Sequence, residues 1–128
     1  MNRQSRLFLM IGAISALIAV ILGAFGAHGL EDVLTARMLE VFETGNRYHF
    51  YHSFALLFVG LLAFHIDGKW LRASGWCFLF GVLIFSGSLY ALALSGMGML
   101  GAITPVGGLL YMIGWLLLAV AAYTRTKK

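Results

Sequence analysis

The side chains best suited to binding or proton chemistry in this sequence are histidines and tyrosines near the ends of apolar segments. They are His28, Tyr48, His49, His52 and Tyr90. His49 and His52 are three residues apart, so on a helix they share one face. Imidazole and carboxylate groups suit zinc or another divalent cation, and His28 with Glu31 or Glu43 would complete such a shell. Histidine pairs at this spacing also arise by chance, so we predict no metal and no other cofactor here.

Two other uses of these polar side chains stay open. In the first, they form hydrogen bonds between helices and to interfacial water. In the second, they line a pocket for a lipid, a quinone or a small solute, with histidine as the titrating group. We do not expect an enzyme, because no activated serine or cysteine arrangement, paired carboxylates within an apolar run or glycine-rich nucleotide loop is present. Cys77 is the single cysteine, which excludes an intrachain disulfide.

The elements that must position these residues are membrane-spanning helices. The chain has 128 residues, of which 61% are hydrophobic and 11% charged, and its mean hydropathy is +0.91. A soluble fold of this length buries only about two-thirds of its surface, too little for so much apolar side chain. We predict a single membrane domain with four spans, at residues 7–27, 48–66, 71–95 and 105–123. The first run is longer than the apolar core of a signal peptide, so we expect it to be retained.

Local signals predict the start of two of these spans. Gly45-Asn46 opens the second span, with Asn46 as its helix cap. Thr104 before Pro105 is a helix-start signal for the fourth span.

The basic residues predict the orientation of these spans. All nine lysines and arginines flank the apolar runs, which indicates membrane anchors and no nucleic-acid partner. With four spans, most of them lie on one side, namely Arg3, Arg6, Lys69, Arg72, Arg125, Lys127 and Lys128. Arg37 and Arg47 lie on the other side. The positive-inside rule therefore places both termini in the cytoplasm.

Residues 30–47 connect the first two spans and mix acidic with apolar positions. Most of the apolar side chains share one helical face, while Asp32, Glu40 and Glu43 lie on the other. This pattern predicts a short helix on the outer membrane surface, and a plain outer loop is the alternative. The predicted fold is therefore an all-α, four-helix membrane bundle with a short interfacial helix between spans one and two.

Small residues recur along one face of the first span, at Gly12, Ala16, Ala19, Gly23 and Ala27, with Gly26 beside them. In a bilayer, helices associate through close backbone approach, which small side chains permit. Gly87 in the third span and Gly107 in the fourth repeat the device. We predict helix packing at these positions, either within the chain or across a homodimer.

In this topology the polar side chains gather towards the outer leaflet. Ser86, Ser88, Thr104 and Tyr111 join the histidines and tyrosines there. Polar residues inside membranes are costly and therefore indicate function. No span has an acid or a base at its centre, which argues against transport by the chain alone.

Four blocks of sequence resemble one known family. "GAFGAHGL", "YHFYHSFALL", "FSGSLYALAL" and "GAITPVGG" appear in the order and at the spacing of the YgdD/YwdK family of small bacterial inner-membrane proteins. The resemblance implies a four-span plasma-membrane protein with no assigned activity. The matching motif residues are Gly23, Gly26, His28, Tyr48, His52, Ser86, Gly87, Tyr90, Thr104, Pro105 and Gly107. The family generally has glutamine at the position of His49, which weakens the metal interpretation and favours a contact between His28 and His52.

These observations predict a small binding or accessory subunit of the membrane. It holds a membrane lipid, or docks onto a larger membrane complex or another copy of itself, through the outer polar residues. The alternative is an oligomeric transporter or a metal-handling membrane protein. We also expect the rings of His28 and His52 to lie within hydrogen-bonding distance or one water molecule of each other.

Overall fold

The computed structural model describes residues 2–126 and is helical throughout, so the predicted all-α class is confirmed. Its elements are α1 (Arg3–Gly29), α2 (Ala36–Leu62), α3 (Lys69–Gly81), a π-helical turn (Val82–Ser86), α4 (Gly87–Ser95), a 3₁₀ turn (Gly98–Ala102) and α5 (Thr104–Thr126). The predicted start of the last helix at Thr104 is correct. Lys127 and Lys128, which contribute to the predicted cytoplasmic charge, lie outside the described residues.

Three helical stretches are long and apolar enough to cross a membrane. They are Arg3–Gly29, Lys69–Ser95 and Gly98–Thr124, each of 27 residues, and they contain predicted spans one, three and four. The second stretch comprises α3, the π turn and α4 without interruption. The helix α2 is not among the three because polar and charged side chains crowd its first half, including Arg37, Glu40, Glu43 and Arg47.

The link between α1 and α2 is shorter than the sequence predicts. The hydroxyl of Thr35 caps α2 by accepting a hydrogen bond from the backbone N–H of Met38, at 3.1 Å. Residues 36–47 then form the first turns of α2 and continue into its apolar half. A separate interfacial helix is therefore not confirmed. The Gly45-Asn46 pair, which we expected to open the second span, lies inside a helix because both residues are used in packing between helices.

The helices α1 and α2 form an antiparallel pair through close backbone contact. A Cβ at Gly12 would lie 2.9 Å from Cγ of Leu57, and one at Gly60 would lie 2.8 Å from Cγ of Leu9. Gly26 faces the ring of Phe42 in the same register. Because a side chain at these glycines would force the two helices apart, the pairing depends on them.

The second pair of helices is α3 and α5, and α2 joins the two pairs by also contacting α3, the π turn and α4. Gly114 lies against Phe78, and the hydroxyl of Ser74 donates to the Gly114 carbonyl at 2.8 Å. Gly107 lies directly on the backbone of Phe85 in the π turn. The buried core between the pairs consists mainly of Phe8, Ala55, Leu56, Val59, Leu71 and Phe78.

The structure places the predicted packing residues as follows. Gly12, Gly23 and Gly26 face α2, Ala19 is fully buried, and Ala16 is half-buried. Gly107 makes the close contact described above, whereas Ala27 is exposed. Gly87 is not a packing position, because a Cβ there would meet no atom within 4 Å. At that level no helix among residues 2–126 closes on the Gly87 face of α4, and a groove lies there.

Candidate functional site

Two neighbouring hydrogen-bonded clusters surround the middle of α2. The His49 cluster consists of Ser15, Asn46, His49, Ser53 and Tyr90 and joins α2 to α1 and α4. The His52 cluster consists of Tyr48, His52, Ser86, Tyr111 and Trp115 and joins α2 to the π turn and α5. His49 and His52 are each only 4% exposed, so their ring nitrogens depend on protein partners.

In the His49 cluster, the imidazole bridges two helices. Its Nδ1 lies 2.9 Å from the hydroxyl of Tyr90, and its Nε2 lies 3.1 Å from the hydroxyl of Ser15. The Ser15 hydroxyl lies 2.6 Å from that of Ser53, which donates to the carbonyl of His49 at 2.8 Å. Asn46 donates through Nδ2 to the Ala19 carbonyl at 2.9 Å and to the Tyr90 hydroxyl at 3.1 Å.

One carbonyl fixes the direction of the hydrogen bonds in this cluster. A carbonyl only accepts, so the Ser53 hydroxyl donates its one hydrogen to the His49 carbonyl. Ser53 must therefore accept from the hydroxyl of Ser15. Ser15 in turn accepts from Nε2–H of His49, which leaves Nδ1 of the neutral ring to accept from Tyr90. Tyr90 completes the sequence by accepting from Asn46. Each hydroxyl and each imidazole nitrogen of the cluster therefore has a partner, as buried polar groups in a membrane require.

In the His52 cluster, the imidazole of His52 is held by a hydrogen bond at each nitrogen and by an aromatic ring stacked on one face. Nδ1 of His52 lies 2.8 Å from the carbonyl of Tyr48, and the indole N–H of Trp115 donates to Nε2 at 3.0 Å. The ring of Tyr111 stacks on the imidazole with 3.5 Å between centroids and 6° between planes. The Tyr111 hydroxyl lies 3.2 Å from that of Ser86. Both nitrogens of His52 are occupied, so this ring has no lone pair left for a metal ion.

The predicted contact between His28 and His52 is wrong. Gly26 opposes Phe42 in the α1–α2 pair, so His28 lies near the level of residue 40, whereas His52 lies about twelve residues further along α2. At the rise of an α-helix, that is a separation of about 18 Å. His28 is exposed at the end of α1. The prediction failed because α2 begins at Ala36 and not near Tyr48, which moves its histidines away from the end of α1.

The clusters lie at the middle level of the helices. His49 is at the midpoint of the 27-residue α2, and Ser15 is next to the midpoint of the 27-residue α1. Trp115 is at the midpoint of the 23-residue α5. An outer-leaflet position for these polar residues is therefore not confirmed. The pair formed by Ser88 and Thr104, 2.6 Å apart, lies nearer the end of the bundle where α4 ends and α5 begins.

A groove of about 370 Å³ lies beside the His49 cluster and opens between α1 and α4. Its walls are aliphatic, and Ser15, His49 and Tyr90 form its polar margin. The lining residues are Ile11, Ile14, Ser15, Ile18 and Leu22 of α1, His49 of α2, and Leu79, Val82, Leu83, Gly87 and Tyr90 of the helices that follow. The volume is within the range of ligand pockets, about 300–1,000 Å³, and the lining suits a hydrocarbon chain.

Several residues of these clusters are absent from the sequence-based prediction. Ser15 lies inside the small-residue face of α1, which was a signal that this face carries a polar contact as well as packing. The sequence predicts a helix cap at Asn46, and nothing in it distinguishes Ser53 from other small residues of α2. Trp115 had no signal, because a tryptophan within an apolar run reads as a core or lipid-facing residue.

Comparison with known proteins adds the following matches. The profile of a family described as "Protein of unknown function (DUF423)" matches residues 22–108. A UPF0382 membrane protein of Staphylococcus epidermidis is 47% identical over 118 residues, which cover 91% of this chain and 94% of the relative. The UPF0382 membrane protein YwdK of Bacillus subtilis is 46% identical over 118 residues, covering 91% and 96%. A UPF0382 membrane protein of Haemophilus influenzae is 44% identical over 116 residues, covering 91% and 93%. No solved structure matches the chain.

Proposed function

Because this chain belongs to the DUF423 family, whose relatives named above are membrane proteins, we propose that it is a small accessory membrane protein that binds lipid hydrocarbon in the groove between α1 and α4. The observation that carries this proposal is the groove itself, an aliphatic concavity of about 370 Å³ beside a fully bonded polar cluster. In a bilayer the surrounding solvent is acyl chain, so an open apolar groove at this depth is filled by one.

The proposed topology has four spans, with α2 as the second. Antiparallel pairing supports it, since the Asn2 side chain donates to the Ala63 carbonyl at 2.7 Å at one end and Gly26 meets Phe42 near the other. A partner that follows α1 over this length crosses the same hydrocarbon layer. The polar residues of α2 lie against α1 and α4, where their hydrogen bonds are made within the protein. Both termini then lie on the cytoplasmic side of the bacterial inner membrane, as the positive-inside rule requires.

Reporter fusions test this topology directly. A periplasm-active reporter fused after residue 33 is expected to be active, whereas the same reporter fused after residue 67 or residue 128 is expected to be inactive. Activity at residue 67 together with inactivity at residue 33 would invert the orientation. Equal activity at residues 33 and 67 would show that α2 does not cross.

The groove is tested by filling it. Gly87 has helical backbone angles, φ −59° and ψ −43°, and lines the groove. A Cβ at this position meets no atom within 4 Å, so the side chain of Gly87→Leu starts in open space and occupies part of the groove. The matched control is Gly98→Leu, at a second glycine with open space that does not line the groove. Native mass spectrometry of the protein extracted from membranes is expected to show a co-purifying lipid in the parent and in Gly98→Leu, but not in Gly87→Leu.

The other outcomes decide against lipid binding. Equal lipid retention by all three proteins would show that the groove is not the site. A second copy or another protein chain retained by the parent and lost in Gly87→Leu would assign the groove to a protein partner. Solute flux in proteoliposomes that Gly87→Leu abolishes would favour the transporter alternative. Metal handling has no support from the geometry, because His52 is fully bonded and His28 lies far from it.

A further inference from the structure

A second cavity, of about 360 Å³, lies between the first turns of α1 and α3. Its lining consists of Arg3, Gln4, Leu7, Phe8, Arg72 and Trp76. None of these residues contributes to the two hydrogen-bonded clusters. The cavity thus brings two guanidinium groups from two helices, one amide and an indole together at the predicted cytoplasmic end of the bundle.

The chemistry of this cavity suits a phosphate group. Arginine presents a planar fork of donors that binds phosphate oxygens in pairs, and the cavity has one arginine on each helix, Arg3 on α1 and Arg72 on α3. Arg3 and Arg72 are both exposed, so each guanidinium is free to turn towards a ligand. The lining contains no acidic side chain. Asp67, which precedes α3 in the sequence, lines a separate cavity that Arg3 and Gln4 also border.

Gln4 supplies a second, independent observation. Its Nε2 atom is buried and has no hydrogen-bond partner among residues 2–126, although the residue borders the cavity. A buried donor without a partner is costly, and a rotation of the flexible Gln4 side chain would let this N–H donate to a phosphate oxygen in the cavity. Gln4 is therefore a further donor at the border of the cavity.

The apolar side of the cavity leads towards the groove. Phe8 packs on Gly75 and meets the Trp76 ring edge to face, with 5.7 Å between centroids. One turn further along each helix, Ile11 and Leu79 are the first residues of the groove. The cavity and the groove therefore follow one another, one helical turn apart, along the face between α1 and the α3–α4 helix, and together they are called the crevice. Tryptophan at the start of that crevice is typical of the headgroup level of a membrane.

We propose that this crevice is a binding site for one anionic phospholipid. The phosphate lies between Arg3 and Arg72 and accepts from Gln4, and one acyl chain passes Trp76 into the groove. The assignment rests on the proposed function, which supplies the acyl chain, and adds the headgroup. Anionic lipids are preferred because the two arginines carry two positive charges and the lining offers no negative charge in return.

The experiment compares headgroups at constant acyl chains. The purified protein, stripped of lipid in detergent, is titrated with phosphatidylglycerol or phosphatidylcholine, and bound lipid is counted by native mass spectrometry. The test variant is Arg3→Gln with Arg72→Gln, and the matched control is Arg6→Gln with Lys69→Gln, which removes the same charge at the same end outside the cavity. The parent and the control are expected to prefer phosphatidylglycerol to phosphatidylcholine. In the test variant this preference is expected to fall by at least about tenfold.

Further arms make each outcome decisive. Arg3→Lys with Arg72→Lys keeps the positive charges but not the forked guanidinium donors. Its preference for phosphatidylglycerol is expected to lie between those of the parent and the glutamine variant. An equal loss in the control, or no loss in the test variant, overturns the headgroup site. Displacement of the lipid by inorganic phosphate alone would also overturn it, since that result describes a soluble-anion site. Gly87→Leu tests the acyl-chain groove separately from the headgroup site. If this variant retains neither phosphatidylglycerol nor phosphatidylcholine, the groove is supported, whatever result the arginine variants give.

Discussion

The indole of Trp115 donates a hydrogen bond to Nε2 of His52 over 3.0 Å and thereby joins α5 to α2 at mid-height of the bundle. Since an indole N–H is only a donor, Nε2 must be the acceptor, and the ring hydrogen is on Nδ1, where it bonds the Tyr48 carbonyl at 2.8 Å. His52 is therefore held as one neutral tautomer. Its role in the described structure is to position α5, and the stacked Tyr111 ring keeps it in that orientation.

Replacing this donor is expected to weaken the bundle measurably. Trp115→Phe keeps an aromatic ring but leaves Nε2 of His52 without a partner. Polar contacts between membrane helices contribute about 0.6 kcal/mol on average and up to about 1.7 kcal/mol, and we expect a loss towards the upper value. Thermal unfolding in detergent measures this loss. The control is Trp70→Phe, because the Trp70 indole makes no hydrogen bond to another helix within the part of the chain that the structure describes. Equal losses in the two variants would contradict a specific Trp115–His52 bond.

The His49 cluster is expected to tolerate glutamine and not leucine. Glutamine has an N–H donor for Ser15 and a carbonyl acceptor for Tyr90, so His49→Gln preserves both links. His49→Leu removes the donor to the Ser15 hydroxyl and the acceptor of the Tyr90 hydroxyl hydrogen, and should cost about 1–3 kcal/mol of unfolding free energy. A double-mutant cycle with Tyr90→Phe should give a coupling energy of about 0.5–1.5 kcal/mol. Additive effects of the two substitutions would show that the 2.9 Å contact contributes nothing.

The sequence was sufficient for the parts of the fold that depend on composition and on small residues. Apolar length predicted the helices that became α1, the α3–α4 helix and α5. The stripe through Gly12 and Gly23 identified the face of α1 that meets α2, because close approach requires small side chains wherever it occurs. Thr104 with Pro105 located the start of α5 for a local reason that needs no tertiary contact.

The boundary of α2 and the partners of its histidines were not predictable in the same way. Gly45 and Asn46 have the local signature of a helix start, but their contacts with Leu89 and Ala19 keep the helix continuous through them. Tertiary contacts override that preference, and the shift displaces His28 from His52. The π turn at Val82–Ser86 likewise has no sequence signal, although it brings Phe85 against Gly107.

Two glycines should respond to alanine in opposite ways. A Cβ at Gly107 would collide with backbone atoms of Phe85, which cannot rotate away, so Gly107→Ala forces α5 from the π turn at a cost of about 1–3 kcal/mol. Gly87→Ala meets no atom within 4 Å and should stabilise the helix by up to about 1 kcal/mol. Unfolding temperatures of the two variants provide the comparison. A loss of stability in Gly87→Ala would show that another element closes on the groove.

Asn46 distinguishes a helix cap from a bridge between helices. As a cap, it would be replaced almost equally well by aspartate or serine, since all three side chains accept from backbone N–H groups at a helix start. In the structure it is a double donor, through Nδ2 to the Ala19 carbonyl at 2.9 Å and to the Tyr90 hydroxyl at 3.1 Å. A carboxylate has no hydrogen to donate, so Asn46→Asp loses both bonds and places a charge against the Ala19 carbonyl. We expect Asn46→Asp to lower the unfolding temperature more than Asn46→Ala does, and Asn46→Ser not to restore the parent value. Parent-like stability of the aspartate and serine variants would instead favour the cap, because only an acceptor role survives in both.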